Sequence, residues 1–151
     1  MNHPIDAVVD IAAKLNLTAV QLHGEEDHQY RSSLVQQLPA NCELWQALGI
    51  KDELPANLSA LIDEPSVSRV LLDCQVGAQK GGTGQQFDWS LLSNIADKHK
   101  VVLAGGITSD TIAQASTTGA GIIDINSGVE DAPGRKSASK LATAFAACRR
   151  Y

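Results

Sequence analysis

Apolar positions recur along this chain first at helical spacing, then as short unbroken runs, and the two patterns alternate to its end. Behind Pro4, whose missing N–H suits a first helical turn, Ile5, Val8, Val9, Ala12 and Leu15 fall on one helix face. Residues 18–23 then form a short strand, Thr-Ala-Val-Gln-Leu-His, ending at Gly24. The pattern predicts a helix over 25–37 closed by Pro39, a second strand over 43–48 ending at Gly49, and a helix over 52–63. A third strand, 69–73, leads into a loop rich in Gly over 77–84. Asp88 caps a helix carrying Leu91, Leu92 and Ile95. The fourth strand, 101–104, runs into Gly105-Gly106, and Thr108 or Ser109 caps the helix after it. A fifth strand covers 121–125. The last helix starts near Ser137 and is expected to bury Leu141, Ala144, Phe145 and Cys148.

Nearly continuous apolar strands alternating with helices predict a parallel sheet covered by helices. Two architectures fit: a doubly wound open sheet, or part of a strand–helix barrel. A complete barrel needs eight units and usually at least ~200 residues. Five strands in 151 residues, opening on a helix, match a barrel that begins partway through. Length and a 44% hydrophobic share predict one domain with a real core. No apolar run approaches a membrane-spanning length, and the opening MNHPIDAVVD lacks a basic-then-apolar export pattern. A net charge of -5 disfavours nucleic acid and anionic membranes as partners. Cys42, Cys74 and Cys148 are odd in number and far apart, so they read as reduced thiols of a cytoplasmic protein, with no disulfide frame and no zinc site.

In either architecture the residues just past each strand share one rim, where ligands bind. That rim receives His23-Gly24, Gly49, Asp73, Gly105-Gly106 and Asn126-Ser127-Gly128. Asp73 can serve as a general acid if partial burial raises its pKa, or simply begin a loop by bonding to backbone. Neighbouring strand residues point to opposite faces, so an Asp73 turned to the rim turns Cys74 towards the helices, as a packing thiol. Glycines ending consecutive strands let backbone N–H groups approach an anion, and Gly105, Gly106, Ser127 and Gly128 together favour phosphate over mere tight turns. Gly81-Gly82-Thr83-Gly84 lacks the Lys-Ser/Thr of a nucleotide P-loop and suits a ligand cradle, a lid or a connector equally. His23 has no second His or Cys at ligand spacing and does not read as a metal ligand. Glu25, Glu26 and Asp27 suit the positive end of the helix that follows.

These residues also match a family. Val20-Gln21-Leu22-His23-Gly24-Glu25-Glu26, Leu71-Leu72-Asp73, the stretch from Gly81 to Trp89, Leu103-Ala104-Gly105-Gly106, and Asp124-Ile125-Asn126-Ser127-Gly128-Val129-Glu130 with Pro133-Gly134 resemble phosphoribosylanthranilate isomerase, in order and spacing, over the whole chain. The likeness is greatest to the isomerase half of fused enzymes that also carry indoleglycerol-phosphate synthase. It implies a (βα)8 TIM-barrel fold, here an incomplete barrel over 1–151 with the family's first three strands and first two helices absent. It implies an Amadori rearrangement in tryptophan biosynthesis, with no metal and no cofactor, on a phosphorylated sugar–anthranilate substrate. It places the general acid on Asp73, the phosphate on Gly105, Gly106, Ser127 and Gly128, and His23, Gly82 and Gly84 near the anthranilate and ribose.

The departures are specific. The family's general base is a cysteine in a Lys-x-Cys-Gly strand, and this sequence contains no such motif, nor the early arginine placed near the anthranilate carboxylate. Gln46 stands where relatives often carry Lys. The expectation is therefore an isomerase by family whose isolated chain is inactive, with open sheet edges that invite self-association. A phosphate-binding remnant without catalysis is one alternative. A flavodoxin-like or receiver-type module is another, although a receiver would want acidic residues where His23 stands and a Lys where Asn126-Ser127 stands.

Overall fold

The computed structural model describes residues 2–76, 79–80 and 86–148, with backbone alone at 75–76 and 79–80. It resolves into two compact units, Met1–Leu48 with Asn57–Leu71, and Gly49–Ala56 with Leu72–Tyr151.

The first unit opens with α1, Ile5–Lys14, with Pro4 one position ahead of the first helical residue rather than inside the turn. Its end is fixed by Asn16, which takes the left-handed φ of +50°. Asn16 N–H donates to Ala13 O at 3.3 Å and Leu17 N–H to Ala12 O at 2.9 Å, a Schellman closure that satisfies two orphan carbonyls. Strand β1, Ala19–Leu22, pairs in parallel with β2, Glu43–Ile50, matching Ala19 to Glu43 and Leu22 to Gln46. β2 outruns its predicted end at Gly49 by one residue. Between them lies α2, His28–Val35, shorter than predicted because Asp27 caps it, accepting Tyr30 N–H at 2.8 Å. Glu26 instead turns towards the chain's start and accepts N–H bonds from Asn2 at 2.8 Å and Gly24 at 2.9 Å. Burial opposes its charge, yet those bonds hold its carboxyl below the usual range.

Ala12, Leu22, Leu34, Leu38, Cys42 and Leu44 form this unit's core, with Ile5, Val8, Val9 and Val20 packed on it. Leu22 of β1, an edge strand, is buried in this core. The predicted helix over 52–63 contracts to α3, Leu58–Asp63, placing Leu58, Leu61 and Ile62 inside. Here too lies a buried ion pair: Arg31 grips Glu64 with Nε to Oε1 at 2.9 Å and Nη2 to Oε2 at 2.7 Å. Ser66 Oγ donates to the same carboxylate at 2.5 Å.

Strand β3, Arg69–Val76, belongs to both units and extends three residues beyond its predicted end at Asp73. In the second unit its latter part neighbours β5, Val101–Leu103, and Ala104 N–H donates to Leu72 O at 2.9 Å. β5 pairs in parallel with β6, Ile122–Ile123, the core of the predicted fifth strand. All three β5 side chains are buried, as an unbroken apolar strand in a doubly covered sheet requires. Gln79–Lys80, β4, folds back antiparallel on the end of β3. Asp88 does cap the next segment, accepting Ser90 N–H at 2.9 Å, but Trp89–Asn94 is a 3₁₀ turn rather than an α-helix.

The helix after β5, α4, Ile112–Ser116, starts from Thr111, and Thr108 supports it by accepting Ile112 N–H at 3.0 Å. A hairpin of β7, Glu130–Ala132, and β8, Arg135–Lys136, precedes α5, Ala138–Cys148. α5 corrects the expected burial: Ala144 is enclosed, Leu141 is half-buried, Cys148 is exposed and Phe145 is 64% exposed. The helix packs on α4, and Phe145 sits about 100° round from the buried Ala144. Among the described residues β1 has one parallel neighbour and β6 has one, and no helix is long and apolar enough to cross a membrane.

Candidate active site

Asp73 is half-buried on β3, with Cys74 buried beside it. Burial first, and the Asp73 carboxylate second, push the Cys74 thiol upward, so it stays protonated and packs as the strand alternation predicted. Facing Asp73 is the turn after β5. Gly105 has φ +86°, and a side chain there would put Cβ 2.7 Å from Asp73 Oδ1 and 2.6 Å from Cys74 N. The carboxylate occupies its place because residue 105 has none.

The turn after β6 is drawn to the same spot. Gly128 forms a parallel bridge with Thr108, and a Cβ on Gly128 would fall 1.9 Å from Ile107 O. Glycine at 128 is thus demanded by close backbone approach. Asp73, Ala104, Gly105, Gly106, Ile107, Asp124, Asn126 and Ser127 line one cavity of about 110 Å³. Pockets that enclose a whole drug-sized ligand run to about 300–1,000 Å³, so this one suits a single small group. Among the described residues the N–H groups of Gly105, Gly106, Ile107 and Ser127 meet no protein acceptor. Unpaired backbone donors around one small cavity are a usual means of holding an oxyanion.

The structure therefore gathers Asp73, Gly105, Gly106 and Ser127 around one cavity and sets Gly128 beside it. His23 lies in the first unit, where its Nε2 accepts from Gln21 Nε2 at 2.5 Å. Gly82 and Gly84 fall outside the described residues. Gln46 is buried, with Nε2 3.3 Å from Ala47 O and no partner for Oε1 among the described residues. Asp124 lines the cavity although the sequence reading gave it no role; a carboxylate interrupting the apolar run 122–125 was the available signal. Two side chains outside the cavity were also missed, Gln86 and Lys136. Gln86 Nε2 donates to Gly106 O at 2.8 Å, and Lys136 Nζ donates to Asn126 O at 2.9 Å. Cys42 and Cys74 are free and buried, Cys148 free and exposed, and no group of three or more candidate ligands for a metal gathers among the described residues.

A parallel strand–helix chain with a carboxylate on one strand and glycine turns after the next ones is an α/β protein of the doubly wound or the TIM-barrel kind. Residues 1–147 match the family model described as PRAI, N-(5'phosphoribosyl)anthranilate (PRA) isomerase. The tryptophan biosynthesis protein TrpCF of Vibrio cholerae is 49% identical over 150 residues, covering 99% of this chain. TrpCF of Haemophilus influenzae is 42% identical over 144 residues, 95% of this chain. The chain spans 30% of the length of each. Phosphoribosyl anthranilate isomerase from Thermus thermophilus superposes with a TM-score of 0.80 at 25% identity, over 99% of this chain and 69% of that one. The Thermotoga maritima enzyme gives 0.78 at 25% identity, over 100% and 71%. The chain belongs to the phosphoribosylanthranilate isomerase family.

Proposed function

We propose that this chain carries the acid and the phosphate subsite of an isomerase that converts N-(5-phosphoribosyl)anthranilate to 1-(2-carboxyphenylamino)-1-deoxyribulose 5-phosphate, a step of tryptophan biosynthesis. The observation that carries it is the position of Asp73 Oδ1 against Gly105, in a cavity also lined by Asn126 and Ser127. A phosphoribosyl anthranilate isomerase 23% identical to this chain has been solved in complex with reduced 1-(o-carboxyphenylamino)-1-deoxyribulose 5-phosphate, a ligand with the same phosphate.

In this reading the phosphate sits on the N–H groups of the Gly105-Gly106 and Ser127-Gly128 turns, and Asp73 protonates the furanose oxygen. The ring C–O bond then breaks and an iminium ion forms. A base removes the C2 proton, giving an enolamine that becomes the ketone, so one acid and one base complete the proton transfers. His23, Gly82 and Gly84 would stand near the anthranilate and ribose. The base belongs to a Lys-x-Cys-Gly strand that this sequence does not contain, so the 151 residues alone bind phosphate without turnover. An acidic chain with three free thiols suits a cytoplasmic enzyme without nucleic-acid or membrane partners, and its open strand edges favour self-association.

The test is the loss of substrate fluorescence under steady state. The chain alone should give no turnover. In a chain extended by a Lys-x-Cys-Gly strand, Asp73→Asn should lower kcat by about 10²–10⁴. A near-normal kcat for Asp73→Asn removes this residue from the mechanism.

A further inference from the structure

We propose that Lys136 and Gln86 are positioning residues for the phosphate subsite: each holds one loop carbonyl and thereby turns the N–H of the next residue into the cavity. The inference rests on the phosphate reading above and assigns the work of that site to two side chains that do not line it.

Lys136 stands on β8, ten residues beyond the loop it holds. Its Nζ donates to Asn126 O at 2.9 Å, to Asn126 Oδ1, and to Glu130 Oε1 at 2.8 Å. An ammonium has three donors, and here all three are used, two of them on the residue preceding Ser127. Gln86 does the matching work on the other turn. Its Nε2 donates to Gly106 O at 2.8 Å and to Thr111 Oγ1 at 3.0 Å. In a planar trans peptide the C=O and the following N–H point in opposite directions. Fixing the Asn126 carbonyl, which also accepts Val129 N–H at 3.3 Å, therefore fixes the direction of the Ser127 N–H, and fixing the Gly106 carbonyl does the same for Ile107. Those four residues line the same cavity, and neither N–H has a protein acceptor among the described residues.

Charge makes the lysine more than a strut. The cavity wall carries two carboxylates, Asp73 and Asp124, which oppose an entering anion. Lys136 sets a cation one hydrogen bond behind that wall. Glu130 keeps the cation in place and is itself fixed by Gly134 N–H at 3.1 Å. A plain surface ion pair would engage Glu130 alone; the two bonds to Asn126 distinguish this lysine from one.

The experiment titrates inorganic phosphate into the whole chain, following backbone amides by NMR and affinity by calorimetry. In the wild type the Ile107 and Ser127 amides should shift together with phosphate. Lys136→Met should weaken phosphate about tenfold, the fold-change expected for one charge-assisted hydrogen bond, and abolish the Ser127 response while leaving that of Ile107. Lys136→Arg should restore both. Gln86→Leu should show the mirror image, losing Ile107 and keeping Ser127. If Lys136→Met does not fold, Lys136→Gln is read on the same two amides. A Lys136→Met chain with wild-type affinity and an intact Ser127 response overturns the proposal. So does a loss that Lys136→Arg leaves unrepaired. A wild-type chain with no response at either amide strikes the phosphate reading itself.

Discussion

Replacing Glu64 by Gln isolates the most polar element of the first unit's interior. Glu64 and Arg31 are both about nine-tenths buried, and their two-pronged contact is joined by Ser66 and by His28 Nδ1 at 3.1 Å. The Arg31 hydrogen bonds are the main cause of a carboxyl pKa lowered to about 2 from 4.5; burial works against the shift, and Ser66 and His28 reinforce it. Each pKa unit corresponds to about 1.4 kcal/mol, so the depression is worth about 3 kcal/mol of folding stability. The sign follows from proton binding. As pH falls the unfolded chain takes up the Glu64 proton first, so the contribution is complete above about pH 4.5 and is lost progressively towards pH 2. Glu64→Gln strips the charge while leaving Arg31 buried, a change that typically costs about 3–5 kcal/mol at neutral pH. Urea unfolding of both proteins by circular dichroism, from pH 7 to strongly acidic buffer, should show their stability gap closing below pH 4.5. The carboxyl carbon shift of Glu64 should titrate near 2. A gap that stays constant with pH, or a carboxyl that titrates like an exposed glutamate, refutes the reasoning.

Gly105→Ala should cost more than 2 kcal/mol in thermal unfolding and abolish phosphate binding, because its Cβ meets Cys74 N and Asp73 Oδ1 below 3 Å at a positive φ. Gly128→Ala, 1.9 Å from Ile107 O, should be at least as damaging. Phe145→Ser should change stability by no more than about 0.5 kcal/mol, since the ring is exposed; a loss above 2 kcal/mol would mean that a partner covers it. Light scattering coupled to size exclusion should find species above ~16 kDa whose share grows with concentration, and a uniform ~16 kDa peak rules out self-association.

The sequence by itself determined the alternation of strands and helices. Period and apolar continuity are local properties, and Val101-Val102-Leu103 can be buried on both faces only in a covered parallel sheet. It also singled out Asp73, Gly105, Gly106, Ser127 and Gly128, because a carboxylate or a glycine after an apolar run is legible without any partner, although β3 continues past Asp73 to Val76. Asn16 could have been read in the same way, as the residue that closes α1. Tertiary structure decided what those residues face. The Gly105 turn meets Asp73 because β5 lies beside β3, and the Gly128 turn joins it because backbone meets backbone at Ile107, neither of which a periodicity contains. Arg31 and Glu64 are 33 residues apart, and Lys136 reaches back ten residues to Asn126; pairs at such distances are set by packing, not by spacing. Phe145 shows the converse. Its helical stripe reads as core, but a stripe is buried only when another surface lies against it, and among the described residues only the side of α5 around Ala144 is covered that closely.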